Sequence, residues 1–219
     1  MHKQTRVKIC GLCSVEDAVH ASENGCDAIG LVFYPPSPRN IDDLALAFDI
    51  AQSVGPFVDV VGLFVDAKAN FIDEVLRQVP LNCIQFHGNE SAEFCEQFSR
   101  PFYKALRIKP GMDLIEDAAG YASARGILLD TYVRGVPGGT GQSFNWELVP
   151  AALNNVVLAG GLTPENVTQA IEIARPYAVD VSGGVEASPG KKDPSKVSAF
   201  INKAKSFQVA NCNNVNTSE

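Results

Sequence analysis

The sequence has no long apolar run and no surplus of basic residues. No stretch approaches the roughly 20 consecutive apolar residues that span a membrane, and the first residues lead into a strand-like segment without the apolar core of a secretory signal. Lys and Arg number 18 against 25 Asp and Glu, giving a net charge of −7, and they form no basic stripe. We therefore expect a cytoplasmic protein that binds neither membranes nor nucleic acid.

Regularly spaced metal ligands and disulfide frameworks are also missing. The six cysteines lie at positions 10, 13, 26, 83, 95 and 212, and the three histidines at positions 2, 20 and 87 are scattered. Cys10 and Cys13 have the two-residue spacing of a zinc or redox pair, but no second such pair accompanies them. We predict reduced thiols and no metal site.

What the sequence does contain is an alternation of short β-rich runs with helical stretches, which is typical of parallel strands joined by crossover helices. The eight predicted strands are Val7–Cys10, Ala28–Phe33, Val58–Asp66, Cys83–Phe86, Phe102–Arg107, Gly126–Asp130, Val156–Ala159 and Ala178–Ser182. The predicted helices are Glu16–Glu23, Asp42–Ser53, Ala69–Gln78, Ala92–Ser99, a weaker one near Asp113–Ala119, Trp146–Leu153, Glu165–Ala174 and Pro194–Lys205.

Eight strand–helix rounds favour one closed (β/α)8 TIM barrel over an open doubly wound sheet, and no GxGxxG motif follows the first strand. We expect this single catalytic domain to span residues 1–207 and the Asn-rich segment 208–219 to be a disordered tail. Capping residues predict helix starts at Ser14, at Thr163-Pro164 and at Asp193-Pro194.

The active site of such a barrel lies at the carboxyl ends of the strands. Two late strand ends carry glycine pairs, Gly160-Gly161 and Gly183-Gly184, the latter following Ser182. The strands seven and eight are where barrels commonly bind phosphate, because glycine lets backbone N–H groups approach an anion. The sequence therefore predicts a phosphate site here, although each glycine pair alone could simply make a tight turn.

Three further residues with reactive side chains lie at strand ends or in the loops that follow them. Cys10 closes the first strand, where nearby cations could lower its pKa enough for it to act as a base, or where it could be an inert buried thiol. Asp130 closes an apolar strand, where burial favours a proton-holding acid, with a cap or salt-bridge role as the alternative. Arg39 ends a proline-stiffened loop and could clamp a carboxylate or phosphate, or could be a surface residue.

Other polar residues at strand ends have no assigned role in this interpretation. They are Asp66, Gln85, His87, Arg107 and Asp180. His87 could be catalytic, but a histidine beside a glycine is as easily a hydrogen-bonding group at a strand end, so we leave it out of the chemistry. The glycine-rich segment 135–141 is flexible enough to close over a ligand, but the sequence does not identify which loop closes.

Together the strand ends resemble those of the phosphoribosylanthranilate isomerase family, over about residues 6–207. The motifs that carry the resemblance are Val7-Lys8-Ile9-Cys10-Gly11, Gly30-Leu31-Val32-Phe33-Tyr34-Pro35 with Ser37 and Arg39, Gln85-Phe86-His87-Gly88, Leu128-Leu129-Asp130, Gly138-Gly139-Thr140-Gly141, Ala159-Gly160-Gly161-Leu162, and Val179-Asp180-Val181-Ser182 followed by Gly184-Val185-Glu186. The resemblance implies a ribulose-phosphate-binding type of TIM barrel.

The resemblance also implies an activity, the cofactor-free Amadori rearrangement of N-(5′-phosphoribosyl)anthranilate in tryptophan biosynthesis. Asp130 matches the general acid, Cys10 the general base and Arg39 the residue that holds the anthranilate carboxylate, while the two glycine-rich strand ends match the phosphate site. The family often has Ser-Ser-Gly where this chain has Ser182-Gly183-Gly184, which puts one hydroxyl contact to phosphate in question.

Two alternative functions stay open at this stage. One is another phosphosugar barrel, an indole-glycerol-phosphate synthase or a histidine-pathway isomerase, although a cysteine at the first strand end argues against both. The other is a phosphate-binding sensor without catalysis, which leaves Cys10, Asp130 and Arg39 without a shared purpose. We expect a monomer acting on a small phosphorylated substrate, with a homodimer as the alternative.

Overall fold

The computed structural model describes residues 4–109, 111–131 and 145–206 of the chain. Eight parallel strands form a closed barrel in sequence order, and β8 pairs with β1 to complete the ring. The strands are β1 Arg6–Cys10, β2 Ala28–Phe33, β3 Asp59–Phe64, β4 Cys83–Phe86, β5 Phe102–Ile108, β6 Ile127–Thr131, β7 Val156–Leu158 and β8 Ala178–Val181. The predicted TIM barrel is confirmed, and every predicted strand lies within two residues of its observed bounds.

Seven α-helices are described around the barrel. They are α1 Val15–Glu23, α2 Leu44–Ser53, α3 Ala69–Gln78, α4 Ala92–Glu96, α5 Leu114–Ala119, α6 Val167–Ala174 and α7 Pro194–Ser206. A short hairpin of β9 Glu186–Ser188 and β10 Lys191–Lys192 lies between β8 and α7. None of the helices in the described ranges has the length and apolar character needed to cross a membrane.

Local capping chemistry explains where several helices begin. Ser14 accepts a hydrogen bond from the backbone N–H of Asp17 at the start of α1, as predicted. Asp193 likewise accepts from the N–H groups of Ser195 and Lys196 at the start of α7. Each cap satisfies backbone donors that have no partner within the first helical turn.

Four predicted helices differ from the structure by two residues or more. The helix predicted from Asp42 begins at Leu44, and the helix predicted over Ala92–Ser99 ends at Glu96. Instead of a helix over Trp146–Leu153, the chain forms one 3₁₀ turn, Trp146–Leu148. Val149 is extended with ψ 112° because it precedes Pro150, whose ring disfavours a helical residue before it. The helix predicted from Glu165 begins only at Val167, because the side chain of Asn166 binds back to the Thr163 N–H and holds this segment as a turn.

Strand alternation gives the barrel interior two zones. Apolar side chains fill one layer, formed by Val61, Tyr103, Ala105, Leu128 and Ala159. Toward the carboxyl ends the interior becomes polar, with buried side chains at Lys8, Gln85, Asp130 and Asp180. Because buried polar groups need partners, this end of the barrel is where chemistry is expected. The glycine-rich segment 135–141 and the predicted tail 208–219 lie outside the described residues.

Candidate active site

A pocket of about 470 Å³ opens at the carboxyl ends of the barrel strands. All eight residues that the sequence singled out line it. They are Cys10, Arg39, Asp130, Gly160, Gly161, Ser182, Gly183 and Gly184. The pocket also includes side chains that the sequence analysis left without a role, namely Gln85, His87, Arg107, Asp180 and Glu186.

Cys10 ends β1 with only 5% of its surface exposed. A β-carbon built on Gly30 would lie 2.7 Å from the Cys10 sulfur and 3.0 Å from Lys8 Nζ, so the thiol and the ammonium group meet above this glycine. Burial raises the pKa of the Cys10 thiol, while the Lys8 and Lys192 ammonium groups act in the opposite direction. The expected cations are present, but the expectation that they lower the pKa of Cys10 overall is wrong, because burial and the charge of Asp180 outweigh them.

Asp130, on β6, faces the same pocket and is 6% exposed. Its Oδ1 accepts a hydrogen bond of 2.8 Å from the Thr131 N–H, and its Oδ2 lies 3.2 Å from His87 Nε2. A β-carbon on Gly160, whose φ is +81°, would approach Asp130 Oδ1 to 2.6 Å. The glycine therefore supplies both the left-handed backbone and the space that the carboxyl group occupies.

His87 is the functional candidate that sequence reasoning missed. It follows Gln85 by two residues, so strand alternation places both side chains on the inner face of the barrel. Gln85 Nε2 lies 2.8 Å from His87 Nδ1, and the Arg107 guanidinium donates to the His87 carbonyl at 3.1 Å. The alternation along this strand is a signal that could have placed His87 at the site, although it could not have identified Asp130 as its partner.

Arg39 lies in the pocket as predicted, but its guanidinium is engaged by a protein carboxylate. Nε and one terminal nitrogen each donate to Glu186 at 2.7 Å, and Lys192 Nζ donates to the same carboxylate at 2.9 Å. Burial opposes the charge on Glu186, but the hydrogen bond from Arg39 and the charge of Lys192 outweigh it and hold the pKa of Glu186 below its usual value. Glu186 thus fixes the Arg39 fork at the pocket wall.

The two glycine-rich strand ends lie side by side at the pocket. Gly160 and Gly161 both have positive φ, and a β-carbon on Gly184 would collide with the Leu162 carbonyl oxygen. Glycine is therefore required for the backbones of these strand ends to pack against each other. The Ser182 hydroxyl is buried at the pocket and has no hydrogen-bond partner within the described part of the chain. An unsatisfied buried hydroxyl beside glycine-rich backbone is suited to an anionic ligand.

Comparison with known proteins matches this arrangement to one family. The family model for N-(5′-phosphoribosyl)anthranilate (PRA) isomerase matches residues 7–203. An N-(5′-phosphoribosyl)anthranilate isomerase of Pseudomonas aeruginosa (strain UCBPP-PA14) is 57% identical over 202 residues, which are 92% of this chain and 95% of that protein.

Solved structures agree with the sequence match. A phosphoribosyl anthranilate isomerase in complex with reduced 1-(o-carboxyphenylamino)-1-deoxyribulose 5-phosphate superposes with a TM-score of 0.82 at 41% identity, covering 93% of this chain and 100% of that chain. Monomers generated from the dimeric enzyme of Thermotoga maritima give a TM-score of 0.82 at 40% identity with the same coverage. The chain therefore belongs to the N-(5′-phosphoribosyl)anthranilate isomerase family.

Proposed function

We propose that this chain catalyses the Amadori rearrangement of N-(5′-phosphoribosyl)anthranilate to 1-(2-carboxyphenylamino)-1-deoxyribulose 5-phosphate, a step of tryptophan biosynthesis. The observation that carries the proposal is that Cys10 and Asp130, on strands β1 and β6, face one pocket whose wall includes the glycine-rich ends of β7 and β8. A thiol base and a carboxyl acid beside a site for phosphate are the groups that this isomerisation needs. Family membership supports the same substrate.

Asp130 acts as the general acid in this mechanism. It donates a proton to the ribose ring oxygen as the bond from that oxygen to C1′ breaks, and the open chain is left as a protonated Schiff base. The Thr131 N–H and His87 both lie within hydrogen-bonding distance of its carboxyl oxygens. Hydrogen bonds to the carboxylate stabilise the charge that forms as the proton leaves.

Cys10 acts as the general base. Its thiolate removes the proton from C2′, the electron pair moves into the C1′–C2′ bond, and the Schiff base becomes an enolamine. Protonation at C1′ and loss of the O2′ proton then give the ketone, so the reaction conserves atoms and electrons. The Lys8 and Lys192 ammonium groups favour the thiolate against the opposing effect of burial.

The remaining pocket residues hold the two anionic ends of the substrate. We assign the phosphate to Ser182 and to the backbone of Gly160, Gly161, Gly183 and Gly184, since all five residues line the pocket and the buried Ser182 hydroxyl has no partner in the described part of the chain. Gly183 supplies no hydroxyl of its own, so its contribution is limited to its backbone N–H.

Arg39 is assigned to the anthranilate carboxylate. Two of its nitrogens are held by Glu186, so the substrate is bound by the remaining donor capacity of a guanidinium that is already fixed in place. A fixed side chain loses little conformational freedom when the substrate binds.

A direct assay tests the proposed function. Purified protein should isomerise phosphoribosylanthranilate in the presence of a chelator, and Asp130→Asn and Cys10→Ser should each lower kcat by about 100-fold or more while KM changes little. Near-wild-type kcat in both variants would contradict the acid–base assignment. Expression of this chain in a tryptophan auxotroph that lacks this step gives an independent check, because growth without tryptophan requires the activity. Failure to grow despite good expression would favour a phosphate-binding sensor.

The quaternary state and cellular location are separate expectations. We keep the monomer expected from the sequence as a proposal, with a homodimer as the alternative. Light scattering after size-exclusion chromatography distinguishes the two states. Fractionation of the source cells tests the expected cytoplasmic location.

A further inference from the structure

Gln85 is at the centre of a buried chain of hydrogen bonds between Lys8 and Asp130. It has no exposed surface. Its Oε1 lies 3.1 Å from Lys8 Nζ and 2.9 Å from the Tyr103 hydroxyl, and its Nε2 lies 2.8 Å from His87 Nδ1. His87 Nε2 in turn lies 3.2 Å from Asp130 Oδ2. This series of hydrogen bonds therefore connects strands β1, β4, β5 and β6 inside the barrel.

Lys8 fixes the orientation of the Gln85 amide. An ammonium group has donors and no acceptor, so it needs an oxygen opposite it. Burial alone would lower the pKa of Lys8, but Asp180 at 3.0 Å, together with Cys10 and Tyr103, outweighs burial, raises that pKa well above its ordinary value and keeps the amine charged. Turning the amide over would direct its NH2 group at the ammonium, which is unfavourable. Oε1 must therefore face Lys8, and Nε2 must face His87.

The amide orientation determines where the imidazole of His87 carries its proton. The NH2 group of Gln85 is a donor, so Nδ1 of His87 must be the acceptor and carry no hydrogen. The single proton of the neutral ring is then on Nε2, the atom that faces Asp130 Oδ2. A second proton on Nδ1 would point directly at the Gln85 amide hydrogens.

We propose that Gln85 is a positioning residue for the general acid, because it holds His87 as the neutral Nε2–H form that donates a hydrogen bond to Asp130. The catalytic consequence rests on the proposed function. As Asp130 gives its proton to the ring oxygen, negative charge forms on the carboxyl group, and the Nε2–H donor is already aimed at it. A cationic His87 would instead pair with an ionised Asp130, which then has no proton to give.

The charged groups around His87 come from several elements. Asp130 on β6 faces the ring at Nε2, and Arg107 on β5 binds the backbone carbonyl. Lys8 and its partner Asp180 lie beyond Gln85 and act on the imidazole through the amide. Among the hydrogen bonds of the described residues, only the one from Gln85 involves His87 Nδ1. Substituting this one side chain therefore tests what determines whether Nδ1 carries a proton.

Nitrogen-15 NMR of histidine-labelled protein tests the tautomer without any assay of activity. The chain has three histidines, and a His87→Asn variant identifies the His87 signals by their loss. At neutral pH we expect an unprotonated Nδ1 and a protonated Nε2. A proton on Nδ1, in either the neutral or the cationic ring, would overturn the proposal even if the enzyme is fully active. The expected tautomer would stand even if the chain proved inactive on phosphoribosylanthranilate.

A matched pair of variants tests the effect on catalysis. Gln85→Glu keeps the shape but places an acceptor opposite Nδ1, so His87 should gain a proton there and kcat should fall by about 100-fold with little change in KM. Tyr103→Phe removes a donor to Oε1 but leaves Lys8 in place, so the tautomer should stay as in the wild type. Gln85→Met, which removes the amide without adding charge, replaces Gln85→Glu if thermal unfolding shows that the charged variant does not fold. A Gln85 variant with an altered tautomer and unchanged kcat would refute the catalytic role.

Discussion

Gly30 provides the space in which Cys10 meets Lys8. A β-carbon at this position on β2 would lie 2.7 Å from the Cys10 sulfur, closer than real β-carbon contacts allow, and 3.0 Å from Lys8 Nζ, which is a tight contact. Gly30 has no positive φ, so the requirement is for volume and not for an unusual backbone. Gly30 is not among the residues that line the pocket, yet it limits where the proposed base can lie.

Replacing Gly30 with alanine should therefore damage catalysis directly. The added methyl must displace the thiol or the ammonium, and a shift of about 1 Å in a reacting group can cost about 100-fold in rate. We expect kcat of Gly30→Ala to fall by about that factor, with a loss of about 1–3 kcal/mol in the free energy of unfolding from overpacking. Steady-state kinetics and urea titration measure the two effects.

Gly55→Ala is the matched control for this substitution. A β-carbon on Gly55 would meet nothing within 4 Å. Its kcat and stability should equal those of the wild type. Equal kcat in the two glycine variants would show that the thiol position is not what Gly30 protects.

The fold and the pocket positions could be predicted from sequence because they depend on local patterns. The apolar strands such as Val60 to Val65 and the rule that barrel sites lie at strand carboxyl ends were enough to place Cys10, Asp130 and Arg39 in one pocket. The prediction of a helix over Trp146–Leu153 was wrong because Pro150 disfavours a helical conformation at Val149, and this effect is stronger than the helical pattern of the sequence.

The pairings inside the pocket could not be predicted. His87 and Asp130 are 43 residues apart, and Arg39 and Glu186 are 147 apart, so their contacts depend on how strands are arranged around the barrel. Strand alternation gives the face of each residue but not its neighbour on that face. The pKa of Cys10 also depends on a balance of burial and the Asp180 charge against two lysines, which composition does not reveal.

Glu186→Gln should weaken substrate binding. It should also remove a contribution to the free energy of unfolding that depends on pH. The variant loses the carboxylate that holds the Arg39 fork and neutralises Lys192, so KM should rise and Arg39 should become more mobile. In the wild type the folded-state pKa of Glu186 is below its usual value of 4.5. Its contribution to stability is therefore complete above that value and disappears as the pH falls through the lower folded-state value.

Urea unfolding at a series of pH values measures this contribution. The difference in unfolding free energy between wild type and Glu186→Gln should be constant above pH 4.5 and should shrink below it. A difference that grows on acidification would mean that Glu186 is not held ionised by Arg39 and Lys192. Asp42→Asn, at an exposed position, serves as the control and should leave the pH dependence unchanged.

The raised pKa of Cys10 predicts slow, strongly pH-dependent alkylation. Thiolate is the reactive form, so the rate of modification by iodoacetamide should climb with pH and continue to climb above pH 9, the usual value for the group. Peptide mass spectrometry distinguishes Cys10 from Cys26 and Cys95, whose pKa values burial raises to about 12. A rate that levels off near neutral pH would mean that Lys8 and Lys192 outweigh burial.

Lys104 and Glu90 form a buried ion pair near the site, with both side chains 2% exposed and Nζ 2.7 Å from Oε2. Lys104 Nζ also donates to the Gly88 carbonyl, and Glu90 accepts from the Gly88 N–H, so the pair holds the residue after His87. Removing one partner of a buried pair leaves an uncompensated charge. Lys104→Met should therefore lower the free energy of unfolding by about 3–5 kcal/mol, as measured by urea titration.

The double variant Lys104→Met/Glu90→Gln separates the charge from the packing. If the unpaired carboxylate causes the loss, removing its charge should restore most of the stability, whereas a packing defect would persist or become worse. Lys68→Met, at an exposed position, should change stability by less than about 0.5 kcal/mol. Because the pair also fixes Gly88, the single variant should lose kcat through displacement of His87. A destabilised Lys104→Met enzyme with normal kcat would show that the loop position does not depend on this ion pair.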